Sequence, residues 1–327
     1  NFIVQLDWAP LFSGIAFFLL LSYADTILTL PFSLYNTFSV EKRFGFTTQT
    51  LSLWIADLLK SLVLNTVLLG LLFGALLWLI NAMPAYWWLT GWLFLLGFSI
   101  FLLYISPYVI EPLFNKFTPI QDELLEKRIK ETMGKAGLSI SRVFTMDASK
   151  RSKHSNAYFT GIGHVKRIVL FDTLLKNHQP DEVLAILAHE AGHWKKKHLL
   201  KMLVLSQVFT LAGFYLAYHL TSGDRIALLF RLDNPTMQAK LLLVGFLASL
   251  LLFPVKPFFA LLSRRHEREA DRFAVQLTRS TRPMAESLIR LSRDNLANLH
   301  PHPWYAAFNY SHPPIVSRVA EIKAYRP

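Results

Sequence analysis

The pentapeptide HEAGH at His189–His193 contains the residue types of a metal-dependent hydrolase. It fits the pattern H-E-x-x-H on a predicted helix, where residues four positions apart share one face with their Cβ atoms about 5 to 6 Å apart. His189 and His193 can therefore bind a single Zn²⁺, and Glu190, beside that face, can take a proton from water on the metal. The alternative is a polar helix surface with two histidines. The preceding run VLAILA argues against it, because unsatisfied polar groups are costly in a buried helix.

A catalytic zinc needs a third protein ligand and an open position for water. The segment SRRHEREADRFA supplies Glu267 and Asp271, four residues apart on one predicted helix face. Glu267 can bind the metal while Asp271 supports a ligand from behind. Glu269 points away from Glu267 by about 200° at roughly 100° per residue, so we assign it to solvent or to a neighbouring arginine. A charged helix beside a membrane would give the same pattern without a metal.

The composition indicates the protein class in which these residues act. Hydrophobic residues make up 53% of the 327 residues and charged residues only 17%, which is more apolar side chain than a soluble core of this size buries. The formal charge of +12 fits basic cytoplasmic loops and anionic lipid, and we expect no nucleic-acid partner. Because there are no cysteines, a disulfide framework, a cysteine-ligated metal and thiol catalysis are excluded.

Five apolar stretches are long enough to cross a bilayer. The interval 61–110 has no acidic or basic residue and accommodates two crossings with a turn at Pro84. The other three stretches are 11–30, 202–220 and 241–262. The basic residues of the loops predict that the polar regions face the cytoplasm and the N-terminus faces the opposite side. We predict a multi-span α-helical membrane protein with an α+β zinc metallopeptidase domain, embedded in a bacterial inner membrane or the endoplasmic reticulum.

Four consecutive regions follow from this pattern. Residues 1–110 form three spans, 111–198 a soluble catalytic subdomain, 199–262 two further spans, and 263–327 a C-terminal catalytic segment with the third zinc ligand. Within the soluble subdomain we expect a helix over 123–135, a strand over 155–163 that ends in a glycine turn, and a strand over 166–172. The next helix opens at Pro180, a favoured first-turn residue, and is expected to continue to about Leu199.

The order of spans brings the two catalytic segments to one side. HEAGH ends just before the fourth span and Glu267 follows just after the fifth. An out-and-back hairpin therefore returns Glu267 to the side of the membrane where HEAGH lies. This agreement favours one zinc ion held by His189, His193 and Glu267.

Several separate segments carry a family resemblance that runs nearly end to end. They are LPFSLYNTFSVEKRFGFTTQT, HSNAYFTG, KRIVLFDTLL, HEAGHWKKKH, SRRHEREADRFA and NYSHPPIVSRV. In this order they resemble the type I CAAX prenyl proteases, which are integral-membrane zinc endopeptidases. The heat-shock-induced membrane proteases are more distant, since they share the metal motifs but not the long N-terminal similarity.

The resemblance implies roles for further residues. His189, His193 and Glu267 match the zinc ligands and Glu190 matches the general base and acid. In the segment SHPP, His312 matches the histidine that stabilises the oxyanion.

Two more positions match the family pattern. Arg318 matches the companion of the oxyanion histidine, and Asn156 matches a residue that hydrogen-bonds the substrate backbone beside the cleft. His198 also fits the pattern but lies too far along the predicted helix to bind the same zinc. The family has seven transmembrane helices around a water-filled chamber, so with five spans and a start at Asn1 we expect a segment before this chain.

The predicted function is hydrolysis of a peptide bond near the C-terminus of a prenylated protein, with removal of the three residues after the modified cysteine. The predicted partners are a lipid-modified or membrane-associated peptide or protein and the membrane lipids. One alternative is general quality control of membrane proteins. Another is a channel, transporter or scaffold with a structural metal, although two histidines and one glutamate leave a position open that structural zinc sites normally close.

Overall fold

A computed structural model describes residues 8–160 and 165–325. Its helices are α1 (Pro10–Tyr35), α2 (Leu51–Ala82), α3 (Trp87–Ile105), α4 (Glu111–Phe114), α5 (Glu123–Lys135), α6 (Asp172–Asn177), α7 (Pro180–Lys195), α8 (His198–Thr221), α9 (Arg225–Phe230), α10 (Met237–Leu252), α11 (Lys256–Thr278), α12 (Arg282–Asp294), α13 (Pro303–Asn309) and α14 (Ile315–Ala324). Its strands are β1 (Phe117–Pro119), β2 (Ser139–Met146), β3 (Ala157–Thr160) and β4 (Val165–Phe171). The helix predicted over 123–135 is confirmed.

The chain divides into two compact units. Unit 1 contains the described residues of Asn1–Phe44, Thr50–Ile105 and Leu203–Phe253, and its described secondary-structure elements are all helices. Unit 2 contains the described residues of Gly45–Gln49, Ser106–Met202 and Pro254–Pro327, with all four strands of the described chain.

The described residues form five helices that are long and apolar enough to cross a membrane, which confirms the predicted number. They cover Pro10–Glu41, Leu51–Ala82, Trp87–Phe114, His198–Thr221 and Met237–Thr278. The turn between α2 and α3 contains Pro84, as predicted. The last stretch includes a short 3₁₀ turn at Phe253–Val255 between α10 and α11. Pro254 lies in that turn, where its missing N–H and fixed φ are tolerated.

Unit 1 combines a small internal core with an apolar exterior. The core contains Leu77, Ile80, Trp87 and Ala217. Large side chains such as Phe32, which is 75% exposed, lie on the outside. In water so much exposed apolar surface would favour aggregation, whereas lipid solvates it. Unit 1 therefore has the surface of a membrane-embedded bundle.

Unit 2 is organised by a four-stranded sheet with the order β1-β2-β4-β3. β2 and β4 pair in parallel, and the two outer pairs are antiparallel. The central strand β4 confirms the strand predicted over 166–172. The strand predicted over 155–163 is observed as β3, at the edge of the sheet, and its expected glycine turn lies outside the described residues. β1 and β2 were not predicted.

The two faces of β4 bury alternate residues. Ile168 and Leu170 face a core shared with helices α5 and α7, and Val169 packs with Met146 on the other face. Because the strand is buried on both sides, its apolar residues run continuously and do not alternate with polar ones. This sheet supports α7, the helix that carries HEAGH.

Helix α7 begins as predicted and ends earlier than predicted. Pro180 is its first residue, and the Glu182 carboxylate accepts the N–H of Gln179 at 2.8 Å. The continuation expected to Leu199 is wrong, because the helix ends at Lys195 and a new helix starts at His198. Lys197 between them has a left-handed φ of 55°, which turns the chain and ends the helical hydrogen bonding.

Helices α7 and α11 approach each other closely at Gly192. A Cβ atom added to Gly192 would lie 3.0 Å from Ala270 Cα and 3.2 Å from the Ala270 carbonyl oxygen. These are backbone atoms of α11, so the neighbouring helix cannot yield by a side-chain rotation. Two small residues therefore set the distance between the helices that carry the candidate ligands.

We predict that Gly192→Ala lowers the stability of the protein. The added methyl group must separate α7 from α11, and overpacking of this kind costs about 1 to 3 kcal/mol. The matched control is Gly134→Ala in α5, where an added Cβ meets no atom within 4 Å and alanine favours the helix by about 0.5 to 1 kcal/mol. Thermal unfolding in detergent should show a lower midpoint for Gly192→Ala only. Equal midpoints for the two variants would contradict the proposed contact.

Candidate metal centre

Three side chains from α7 and α11 converge on one point. The Nε2 atoms of His189 and His193 lie 3.1 Å apart. Glu267 Oε1 lies 3.2 Å from His193 Nε2, and Glu267 Oε2 lies 3.5 Å from His189 Nε2. Three ligand atoms on one tetrahedral zinc, with bonds of about 2.0 to 2.2 Å, are separated by about 3.4 Å. Two imidazoles and one carboxylate at this spacing fit a single Zn²⁺.

Asp271 orients the first of the two imidazoles. Its Oδ1 atom lies 2.8 Å from His189 Nδ1, and both side chains are buried. A carboxylate at this distance favours the tautomer with the proton on Nδ1 and leaves the lone pair of Nε2 for the metal. The sequence prediction that Asp271 supports a ligand describes this contact.

Arg318 lies on the other side of Asp271. Its Nε and Nη2 atoms donate to the two oxygens of Asp271 at 2.8 and 2.6 Å, and its Nη1 atom lies 3.3 Å from Glu267 Oε2. The guanidinium is buried, so its charge must be balanced within the protein. The hydrogen bonds and charge of Asp271 outweigh the effect of burial and raise the pKa of Arg318 above its ordinary value. The arginine is therefore held between two carboxylates.

The electrostatic environment of the cluster favours a cation. Burial lowers the pKa of His189, but the adjacent carboxylates of Asp271 and Glu267 outweigh it and raise the pKa to about 9. The carboxylates that stabilise positive charge on the imidazole also stabilise a metal ion among the same atoms. The three ligand side chains and the charged groups around them thus both favour a bound cation.

Glu190 lies next to the cluster without joining it. Among the residues that the structure describes, no side chain forms a hydrogen bond or ion pair with its carboxylate. Burial raises the pKa of the Glu190 carboxyl above its ordinary value, while positive charge on His189 and His193 opposes the rise. A carboxyl with a raised pKa is suited to accept and return a proton near neutral pH.

His312 reaches the cluster from the loop between α13 and α14. Its Nδ1 atom lies 2.8 Å from Glu267 Oε2, while its side chain is 61% exposed. Arg264 holds this part of the chain through hydrogen bonds from Nη1 to the carbonyl oxygens of Ala306 and Tyr310, at 3.1 and 2.7 Å. No role of Arg264 was predicted from the sequence, since a basic residue after a membrane span is common and does not reveal its partners.

Asn156 is not among the residues that meet at Glu267. It is exposed at the start of the edge strand β3, and its Oδ1 accepts the N–H of Ala157 at 2.8 Å. No contact in the described part of the chain joins it to the metal cluster. Its position beside a free strand edge agrees with, but does not test, a role in holding an extended peptide.

Two further side chains lie behind His193. Glu269 pairs with Arg265 at 3.2 Å, as the sequence analysis predicted, and also lies 3.1 Å from His198 Nε2. His198 is not part of the cluster of His189, His193 and Glu267, but its Nδ1 atom lies 3.1 Å from His193 Nδ1. A continuous helix would not have brought it there.

Comparisons with known proteins cover both ends of the chain. A family model described as "Peptidase family M48" matches residues 119–326, and one described as "CAAX prenyl protease N-terminal, five membrane helices" matches residues 1–116. Among solved structures, the crystal structure of Ste24p from S. mikatae is similar, with a TM-score of 0.91 and 34% identity. The match covers 97% of this chain and 77% of that chain.

Curated relatives agree with these matches. CAAX prenyl protease 1 of Saccharomyces cerevisiae is 36% identical over 94% of this chain and 72% of its own. An uncharacterized metalloprotease of Bacillus subtilis is 33% identical over 93% of this chain and 72% of its own. The helical unit with its five candidate spans, the small sheet and the His and Glu cluster are thus those of a membrane metallopeptidase, and this chain belongs to the CAAX prenyl proteases of peptidase family M48.

Proposed function

We propose that the metal is one Zn²⁺ ion held by His189, His193 and Glu267. The observation that carries this proposal is the convergence of their ligand atoms, which all lie within 4.8 Å of one another. When bound, zinc supplies a Lewis acid that polarises a carbonyl group and lowers the pKa of a coordinated water. Three protein ligands leave a coordination position open, as in catalytic sites and unlike structural ones.

We assign the proton transfers to Glu190. Its carboxylate accepts the proton of the attacking water and returns it to the leaving amine of the cleaved peptide bond. The burial that raises its pKa and the absence of a competing hydrogen bond among the described residues support this role.

His312 is proposed to donate a hydrogen bond to the oxyanion that forms during attack. Support comes from its contact with Glu267 and its exposed ring, which a substrate can reach. The sequence analysis paired Arg318 with His312 at the oxyanion. The contacts of Arg318 with Asp271 and Glu267 favour an indirect contribution, in which the buried cation holds both carboxylates in place.

The proposed substrate is the C-terminal end of a lipid-modified protein, from which three residues after a prenylated cysteine are removed. The name of the yeast relative supports this substrate class. The free edge of β3 can accept an extended peptide as an added strand, with Asn156 at its start binding the peptide backbone. Unit 2 is proposed to face the cytoplasm, which the basic residues of its loops support, and unit 1 is proposed to lie among membrane lipids.

General cleavage of membrane-associated proteins is the second candidate. The similarity to the Bacillus subtilis metalloprotease favours it, because that name specifies no prenylated substrate. A single substrate comparison separates the two candidates.

We predict that Glu190→Gln retains about one zinc per chain and lowers kcat by about 10²- to 10⁴-fold, because the amide cannot accept the proton. Zinc content and peptide cleavage should be measured on the same purified sample. Glu286→Gln, which removes an exposed glutamate paired with Arg282, is the matched control and should keep both properties. An active Glu190→Gln protein would exclude this base, and wild-type protein without bound zinc would exclude the mechanism.

We also predict that a farnesylated peptide is cut faster than its S-methyl twin. Burial of two CH₂ groups, at about 0.8 kcal/mol each, already raises kcat/KM by about tenfold. Mass spectrometry should locate the cut after the modified cysteine, and chelator-treated enzyme should produce none. Equal rates for the two peptides would favour the quality-control function.

A further inference from the structure

A buried histidine lies directly behind the metal ligand His193. His198, the first residue of α8, is only 3% exposed, and its Nδ1 atom is 3.1 Å from His193 Nδ1. Its other nitrogen, Nε2, is 3.1 Å from Glu269 Oε2. Both nitrogens of one imidazole are therefore paired.

The break between α7 and α8 makes this contact possible. In a straight helix a residue five positions further on points about 140° away from His193. Instead, the chain turns at Lys197, whose left-handed φ of 55° costs a non-glycine residue about 1 to 2 kcal/mol. Because of this turn, the His198 ring lies against the Nδ1 side of His193. Strained backbone that places one polar side chain against a ligand is typical of functional sites.

With both imidazoles neutral, the proton pattern of the three groups has one consistent solution. The Glu269 carboxylate only accepts, so it holds the proton of His198 on Nε2. The Nδ1 atom of His198 then accepts the Nδ1 proton of His193. His193 is left with a free lone pair on Nε2, the atom that faces His189 and Glu267.

The ring plane of His198 is also held. Its ring stacks on His266 with centroids 4.1 Å apart and an interplanar angle of 9°. Arg265 binds the second oxygen of Glu269 at 3.2 Å. The His198 ring cannot rotate without the loss of its stack on His266, and the Glu269 carboxylate cannot rotate without the loss of its contact with Arg265.

We propose that His198, anchored by Glu269, is the positioning residue that fixes the tautomer and orientation of His193 for metal binding. This inference rests on the proposed zinc site. His189 has a direct carboxylate partner in Asp271, whereas His193 reaches its carboxylate through a second imidazole. Partners of this kind contribute about 10- to 100-fold to metal affinity.

The test compares two substitutions of one residue in the full-length chain in detergent. His198→Phe keeps the ring and its stack on His266 but removes the acceptor. His198→Asn keeps an acceptor, because Oδ1 of asparagine is as many bonds from the backbone as Nδ1 of histidine. Competition with a fluorescent zinc chelator should give an affinity about 10- to 100-fold lower for the Phe variant and within about threefold of wild type for the Asn variant.

The unfolding temperature of the metal-free proteins separates positioning from packing. A packing role predicts the larger loss of stability for Asn, which fills less space than Phe, and no preference of zinc for either variant. Phe and Asn variants with equal zinc affinity, or a Phe variant that binds zinc like wild type, would overturn the inference. A wild-type chain that binds no zinc would instead overturn the proposed function, and the role of His198 with it.

If the His198→Phe variant does not fold, a second pair of variants tests whether His198 and Glu269 position His193. Glu269→Leu removes the acceptor for His198 Nε2 and should weaken zinc binding by about tenfold. Glu286→Leu makes the same change at an exposed glutamate of α12 that pairs with Arg282, and it should bind zinc like wild type. Equal zinc affinities for these two variants would contradict the chain of contacts.

Discussion

The contact between α7 and α11 at Gly192 and Ala270 is the constraint on which the metal centre depends. One helix supplies both imidazoles and Glu190, and the other supplies Glu267. A side chain at position 192 would meet backbone atoms of the neighbouring helix. Because imidazole and carboxylate side chains have fixed lengths, a larger separation would move Glu267 beyond the reach of an ion held by the histidines. The distance between the backbones of α7 and α11 thus determines whether His189, His193 and Glu267 can reach one ion.

The close approach of α7 and α11 buries charged side chains. Their charges are balanced by ion pairs within the site. Glu267 and Asp271 are both buried, and two buried carboxylates would repel each other and lose their hydration. Arg318 contacts both, which leaves the group with one negative charge before the imidazoles are counted. This net negative charge favours a cation among His189, His193 and Glu267. The same carboxylates therefore account for the buried arginine and make the cluster suited to a metal ion.

Much of this could be predicted from the sequence, because local spacing determines what a helix face presents. The interval of four residues places His189 with His193, and Glu267 with Asp271, while the absence of charge over long intervals identifies the spans. The short strand β1, the strand β2 and the contacts of Arg264 depend on partners distant in the chain, and no local pattern specifies them. The prediction that His198 lies too far along the helix to bind the same ion assumed a straight helix, whereas the chain turns at Lys197. The left-handed backbone conformation of Lys197 could not be predicted from the sequence, since lysine has no preference for that conformation.

The burial of the cluster also defines how a substrate approaches. The Asp271 and Arg318 side is closed, with 4% and 6% exposure, and Glu267 is equally inaccessible. Exposure increases toward His193, at 26% of its side chain, and reaches 61% at His312. We therefore propose that the open coordination position of the zinc lies on the side of His193 and His312, where the described residues leave the cluster exposed. In the proposed mechanism an oxyanion that forms there accepts a hydrogen bond from the exposed imidazole of His312, whereas Arg318, enclosed behind Glu267, contributes through the carboxylates that it holds.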